Sequence, residues 1–126
     1  MLKKGWVYLE ASVEQLLTLS EEEKRSNLPF VLEWLKVGEI ERNEGLAELL
    51  LQYPAEITPF IFELLEGEAM DYDLKKWMME NVICKLPFFV KIALEEQLQR
   101  IAQLPTDEER KRKLHEVAQT VLDSFI

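Results

Sequence analysis

The sequence has 126 residues, and 48% of them are hydrophobic, which is enough apolar material to close the core of one small domain. Its 24 acidic and 15 basic residues give a formal net charge of −9, and such a surface repels both a nucleic-acid backbone and an anionic membrane. We therefore expect neither of these as a partner, whereas the same charge favours encounter with a basic protein.

A phrase that begins with Pro-Phe occurs three times, and the predicted helices are organised around it. The copies are PFVLEWLKVGE from Pro29, PFIFELLEGE from Pro59 and PFFVKIALEE from Pro87. Proline suits the first turn of a helix, and Gly38 and Gly67 follow the first two copies where a helix C-cap would fall. A repeat of about thirty residues is typical of arrays of helical pairs.

The first part of the chain contains an undecided segment and then two helix starts. Residues 1–10 form either a short extended arm or the ragged start of the first helix, and the sequence leaves both open. From Ala11 the apolar residues recur at helical spacing. Ser20 and Glu23 form a capping box for a short second turn, and Asn27 is the predicted N-cap of the helix that contains Pro29.

The remaining helices follow the repeated phrase. Leu46–Tyr53 pairs with the preceding helix, and the second pair comprises Pro59–Leu65 and a strongly apolar helix over Leu74–Leu86. The third unit runs from Pro87 to Leu104. A capping box of Thr106 and Glu109 then opens a single closing helix that carries the basic run 110–113.

These helices, without any hairpin or alternating strand pattern, predict an all-α protein. Short connections between successive helices favour a HEAT-like array of antiparallel helical pairs, with an up-and-down helical bundle as the alternative. We expect one helical-repeat domain over 1–126, with repeat-like units in 29–126.

The N-terminus and the cysteine content predict a cytoplasmic protein. Lys3 and Lys4 precede an apolar run that Glu10 and Glu14 interrupt, so the core of a signal peptide is missing. The longest apolar runs are far too short to cross a bilayer. The single cysteine, Cys84, excludes an intramolecular disulfide and fits a reducing compartment.

Catalytic and metal-binding patterns are missing from the sequence. His115-Glu116 is not followed by the second histidine of a zinc protease, and the four glycines are too scattered for a phosphate-binding loop. Asp71 and Asp73 resemble the start of a calcium loop but lack its glycine and terminal glutamate, so we interpret them as a helix N-cap. We therefore expect no enzyme, no cofactor and no metal.

The chain resembles a family of small bacterial proteins of unknown function that have a HEAT-like fold and are often found near toxin and immunity genes. The resemblance covers about Pro29 to Leu122 and rests on such stretches as Glu33-Trp34-Leu35, AELLL over 47–51 and KLP over 85–87. It implies the fold and, by analogy, an immunity-type role. This chain has Glu39-Ile40-Glu41 where the family pattern has an Asn-Trp-Pro turn.

Acidic residues between positions 39 and 73 suggest a partner-binding surface. Only one base, Arg42, lies among them. If the helical pairs stack in register, the connections between helices bring several acids to one edge. We call this predicted surface the acidic edge, and its residues are Glu39, Glu41, Glu44, Glu68, Asp71 and Asp73, with Tyr72 beside them.

Two functions are consistent with these features. The first is a non-catalytic protein-binding module, by analogy of the immunity type, that docks a basic partner through the acidic edge. The alternative is a structural protein without such a surface, in which the acids serve only solubility. That protein would self-associate through terminal apolar residues, namely Trp6 and Tyr8 or Phe125 and Ile126. The sequence identifies neither the partner nor the oligomeric state.

Overall fold

The computed structural model describes residues 13–66 and 71–125, and in these residues the chain is helical, without strands. The helices are α1 (Val13–Leu17), α2 (Glu21–Val37), α3 (Glu44–Leu51), α4 (Pro54–Leu65), α5 (Tyr72–Asn81), α6 (Phe88–Gln103), α7 (Asp107–Lys111) and α8 (Leu114–Asp123), with a 3₁₀ turn at Ile83–Lys85. The predicted all-α class is confirmed. Contacts divide the chain into two compact units between Tyr53 and Pro54. The single domain and the HEAT-like stacking stay predictions.

Helix α2 begins at the capping box that the sequence predicts, but it is much longer than predicted. The Ser20 hydroxyl accepts a hydrogen bond from the Glu23 amide at 3.2 Å, and the Glu23 carboxylate accepts one from the Ser20 amide at 3.1 Å. These bonds satisfy amides that a helix start leaves without intrahelical partners. The box therefore opens the whole 17-residue helix and not a separate short turn.

Two helices start earlier than the sequence predicts. Asn27 is not an N-cap, because it lies inside α2. Its side-chain nitrogen Nδ2 donates a hydrogen bond to the backbone carbonyl of Glu23 at 2.8 Å. Pro29 and Pro59 lie inside α2 and α4, although each removes one backbone hydrogen bond. The buried apolar stripes of both helices outweigh that loss. Of the three Pro-Phe copies, only Pro87 directly precedes its helix, as the N-cap of α6.

The predicted glycine C-cap at the end of α2 is confirmed. Gly38 has a φ of 79°, in the left-handed region that glycine adopts without steric cost. Its amide donates to the carbonyl of Leu35 at 3.3 Å, and the next amide, of Glu39, donates to the carbonyl of Trp34 at 2.7 Å. These bonds satisfy carbonyls that the helix end leaves free. The second predicted cap, Gly67, lies outside the described residues.

In the second unit, α6 packs against α4 and α8, and α5 packs against α8. The sequence predicts one apolar helix over Leu74–Leu86. The structure instead ends α5 at Asn81 and continues as the 3₁₀ turn, and Trp77 in α5 is half-buried. The apolar residues of this unit that are 0% exposed are Ile57, Ile61, Leu65, Met78, Met79, Val82, Ile83, Leu94, Leu98, Ile101, Leu114 and Ala118.

The closing segment is divided into two helices, so the predicted single helix after Thr106 is wrong. The capping box of Thr106 and Glu109 is confirmed, but it opens only the short helix α7. Lys113 has a φ of 61°, a left-handed conformation that is uncommon for a residue other than glycine. This residue separates α7 from α8. The basic run 110–113 therefore lies on α7 and at the junction.

Candidate functional site

The second unit contains a buried ionic cluster of Lys75, Arg100 and Glu109. Arg100 binds the Glu109 carboxylate with both terminal nitrogens, from Nη1 to Oε1 at 2.9 Å and from Nη2 to Oε2 at 2.8 Å. Lys75 Nζ lies 3.5 Å from Oε2, and the Thr106 amide donates to Oε1 at 2.9 Å. One carboxylate thus joins α5, α6 and the start of α7.

The pKa values show in which groups of the cluster the charged form is stabilised. Burial by itself raises the pKa of Glu109, but hydrogen bonds from Arg100 and the Thr106 amide, with the charges of Arg100 and Lys75, lower it to about 2. For Lys75 the balance is the reverse, because burial lowers its pKa and the attraction of Glu109 only partly opposes this. The hydrogen bond to Glu109 raises the pKa of Arg100. Glu109 and Arg100 are therefore the firmly charged pair.

We interpret this cluster as a structural anchor and not as a reactive centre. The side chains of Lys75 and Glu109 are each only 1% exposed, so a substrate does not reach them in this fold. The ring of Tyr72 covers Lys75, with Nζ 5.0 Å from the ring centroid. The anchor is hard to recognise in the sequence because Glu109 already has a role there as a capping residue. The one sequence signal of the cluster is Lys75, because a charged residue lies there beside the apolar positions of α5.

Three residues of the predicted acidic edge, Asp71, Tyr72 and Asp73, make contacts with other residues of the second unit. Asp71 is the N-cap of α5, as the sequence predicts, and its Oδ1 accepts from the Leu74 amide at 2.9 Å. The ring of Tyr72 also lies 5.0 Å from the guanidinium carbon of Arg112. Asp73 is the most open of the three, with a side chain that is 84% exposed and 3.9 Å from Arg112 Nη1.

The other residues of the acidic edge are less constrained. Glu39, Glu41 and Glu44 are exposed in the first unit, at the end of α2 and the start of α3. Glu68 lies outside the described residues. The edge has residues in both compact units, and its partner-binding role stays a prediction.

A groove lies between α5, the 3₁₀ turn and α8, and we call it the α5–α8 groove. Its volume is about 370 Å³, and its lining residues are Met79, Glu80, Cys84, Glu116, Val117, Thr120, Val121 and Ser124. Met79 and Val121 are buried and form an apolar floor, while Glu80 and Glu116 are exposed at the rim. Pockets of about 300–1,000 Å³ with apolar walls and a few polar groups are typical ligand sites. The α5–α8 groove has the volume and the apolar lining of such a site.

Cys84, the single cysteine, is half-buried in this groove. Its thiol donates to the carbonyl of Glu80 at 3.0 Å. The structure leaves this thiol partly accessible from the groove. This accessibility makes Cys84 a reporter of groove occupancy.

The first turns of α6 carry an exposed apolar surface that the sequence pattern does not reveal. Phe88 is 61% exposed, Phe89 68% and Ile92 47%, and we call these three residues the α6 patch. The buried stripe of α6 consists instead of Val90, Leu94, Leu98 and Ile101.

Metal-ligating side chains do not gather in the part of the chain that the structure describes. Among residues 13–66 and 71–125, no group of at least three histidine, cysteine, aspartate or glutamate residues has an arrangement that holds a metal ion. The expectation of no metal, no cofactor and no catalysis stays a prediction. In the same ranges, no helix combines the length and the apolar composition that a bilayer crossing requires.

A comparison with known proteins identifies the family but not an activity. The family model described as "Domain of unknown function (DUF5071)" matches residues 9–122. No curated protein and no solved structure matches the chain significantly. The match begins well before Pro29, so it includes residues that the resemblance found from the sequence does not cover. It confirms a small family of unknown function, while the HEAT-like fold, the bacterial source and the toxin context stay predictions. The chain belongs to the DUF5071 family.

Proposed function

We propose that the protein is a non-catalytic protein-binding module that holds a basic, amphipathic segment of its partner in the α5–α8 groove. The observation that carries this proposal is the composition of the groove. Its floor is apolar, and its rim carries the exposed carboxylates of Glu80 and Glu116. Such a groove complements a helix with an apolar face and a basic edge, which is a common mode of peptide recognition.

Charge supports a basic partner over an acidic one. The net charge of −9 steers a cationic molecule toward the protein, and the rim carboxylates select it at short range. The exposed acids Glu39, Glu41 and Glu44 of the first unit are compatible with the same proposal, and in the second unit Asp73 extends into solvent. By resemblance only, we include an immunity-type role, in which the basic partner is a toxin that the module neutralises.

The test measures binding of a fluorescein-labelled helical peptide of lysine and leucine by fluorescence anisotropy, with the corresponding glutamate and leucine peptide as a control ligand. We expect micromolar binding of the basic peptide and none of the acidic one. The double variant Glu80→Lys/Glu116→Lys should weaken binding about five- to thirtyfold, because reversing two rim charges costs on the order of 1–2 kcal/mol. Thr120→Trp, which fills the groove without changing charge, should weaken it as well.

A matched control separates groove binding from general attraction. Glu33 and Glu63 are exposed helical residues outside the groove lining, so Glu33→Lys/Glu63→Lys makes the same change in net charge. If both double variants lose the same binding affinity, the attraction is unspecific, and the result contradicts binding in the groove. A third variant, Glu39→Lys/Glu41→Lys, tests the acidic edge. A loss confined to this variant would transfer the proposed site to the edge.

A further inference from the structure

The α6 patch faces directly away from the core of its unit. The buried stripe of α6 runs through Val90 and Leu94, and a helix turns about 100° per residue. This rotation places Phe88, Phe89 and Ile92 on the opposite side, as neighbours three and four positions apart. Two exposed phenylalanines and an isoleucine present roughly 300 Å² of apolar surface, which is similar in size to the largest apolar patch of a typical monomeric protein, and such patches are often functional.

The ends of this surface carry opposite charge. Lys85 is exposed in the 3₁₀ turn just before α6, and Glu96 is exposed one turn beyond Ile92. The N-terminus of α6 adds to the positive end, because Pro87 provides no side-chain cap and the first turn contains no acidic residue. Along α6 the exposed surface is therefore basic, then apolar, then acidic.

We propose that two copies of this chain form a dimer through the α6 patch, with their α6 helices antiparallel about a two-fold axis. A surface with this order of charges is self-complementary when one copy is reversed. Phe89 then contacts Ile92 of the partner subunit, and Lys85 lies opposite Glu96 of the partner subunit. The negative side chain also approaches the uncapped start of α6.

A second copy explains the patch better than the basic partner of the groove. Lys85 and Lys91 flank the patch, and a basic segment would be repelled by them. Lys91 Nζ also lies 5.5 Å from the centroid of the Phe125 ring. The patch is smaller than the roughly 800 Å² per partner of a stable interface, so we expect a weak dimer that forms only at high protein concentration.

The experiment is sedimentation equilibrium of the full chain from low micromolar to several hundred micromolar concentration. We expect a concentration-dependent monomer–dimer equilibrium. Phe88→Ser/Phe89→Ser should raise the dissociation constant at least tenfold without loss of helical content, because both side chains are already exposed. A monomer at every concentration overturns the proposal, and so does a dimer that this variant leaves unchanged.

A charge exchange tests the antiparallel arrangement. Lys85→Glu and Glu96→Lys should each weaken their own dimer several-fold, because like charges then face each other twice. An equimolar mixture of the two variants should restore dimerisation, since both cross-subunit pairs again have opposite signs. A mixture that associates no better than either variant overturns the arrangement. The double variant Glu80→Lys/Glu116→Lys should dimerise like the native chain. The experiments therefore distinguish failure of the proposed groove binding from failure of the proposed dimer.

Discussion

The strongest stability prediction concerns Glu109→Gln, because this carboxylate joins three helices through charged groups. The substitution keeps the size of the side chain but removes the charge that Arg100 and Lys75 neutralise. The difference between the ordinary pKa of 4.5 and a value of about 2 corresponds to roughly 3 kcal/mol of stability at neutral pH. Removing one partner of a buried ion pair costs about 3–5 kcal/mol, which agrees with this magnitude.

The same pKa determines the pH range of the effect. Because the pKa of Glu109 is lower in the folded chain than in the unfolded chain, its contribution is complete above about pH 5 and is lost as the pH falls toward 2. Urea denaturation followed by tryptophan fluorescence should therefore show a gap of about 3 kcal/mol between native chain and variant at pH 7. The gap should narrow below pH 4.5.

A neighbouring glutamate provides the control for this experiment. Glu108 lies on the same short helix and accepts from Arg112 Nε at 2.9 Å, but both side chains of this pair are partly exposed. Glu108→Gln should lower the free energy of unfolding far less, because exposed pairs contribute little. A gap for Glu109→Gln below about 1 kcal/mol, or one that stays constant between about pH 7 and pH 3, would refute the reasoning.

Three further predictions rest on single observations. Lys75→Met should leave the free energy of unfolding unchanged or raise it by up to about 1 kcal/mol, because the lowered pKa of Lys75 shows that the cost of burying its charge exceeds the attraction of Glu109. A loss above about 2 kcal/mol in urea denaturation would contradict this prediction. Gly38→Ala should cost about 1 kcal/mol from backbone strain alone, since an added Cβ meets no atom within 4 Å; an unchanged melting temperature would contradict it. Alkylation of Cys84 by iodoacetamide should slow when the basic peptide fills the groove; an unchanged rate beside demonstrated binding would place the peptide elsewhere.

The sequence predicts the helices of this protein better than it predicts their ends. Capping boxes and the glycine cap are local hydrogen-bond patterns, so Ser20, Gly38 and Thr106 are identified correctly. Proline is also a local signal, but Pro29 and Pro59 lie inside helices. One lost hydrogen bond is small beside the burial of an apolar helix face, and burial depends on contacts that no local pattern contains.

The sites show the same division between local and distant information. The N-cap role of Asp71 follows from its place before an apolar helix, and the structure confirms it. The ionic anchor brings together residues from three parts of the chain, so sequence spacing does not reveal it. The α6 patch escapes prediction for a different reason. Phe88 and Phe89 have the composition of a core, and only the direction of the buried stripe shows that they face solvent.

The ionic anchor and the α5–α8 groove are connected through neighbouring segments of the chain. Lys75 lies one helical turn before Met79, which forms part of the groove floor. Glu109 on α7 precedes the rim residue Glu116 on α8 by seven residues. The anchor therefore holds the start of α5 against α7, just before the chain enters α8. An apolar contact at this position would stabilise the fold as well, but it would leave the register of α6 and α7 less defined than the bidentate pair of Arg100 and Glu109 does. The buried charges therefore add a defined register to the stability that Glu109 contributes.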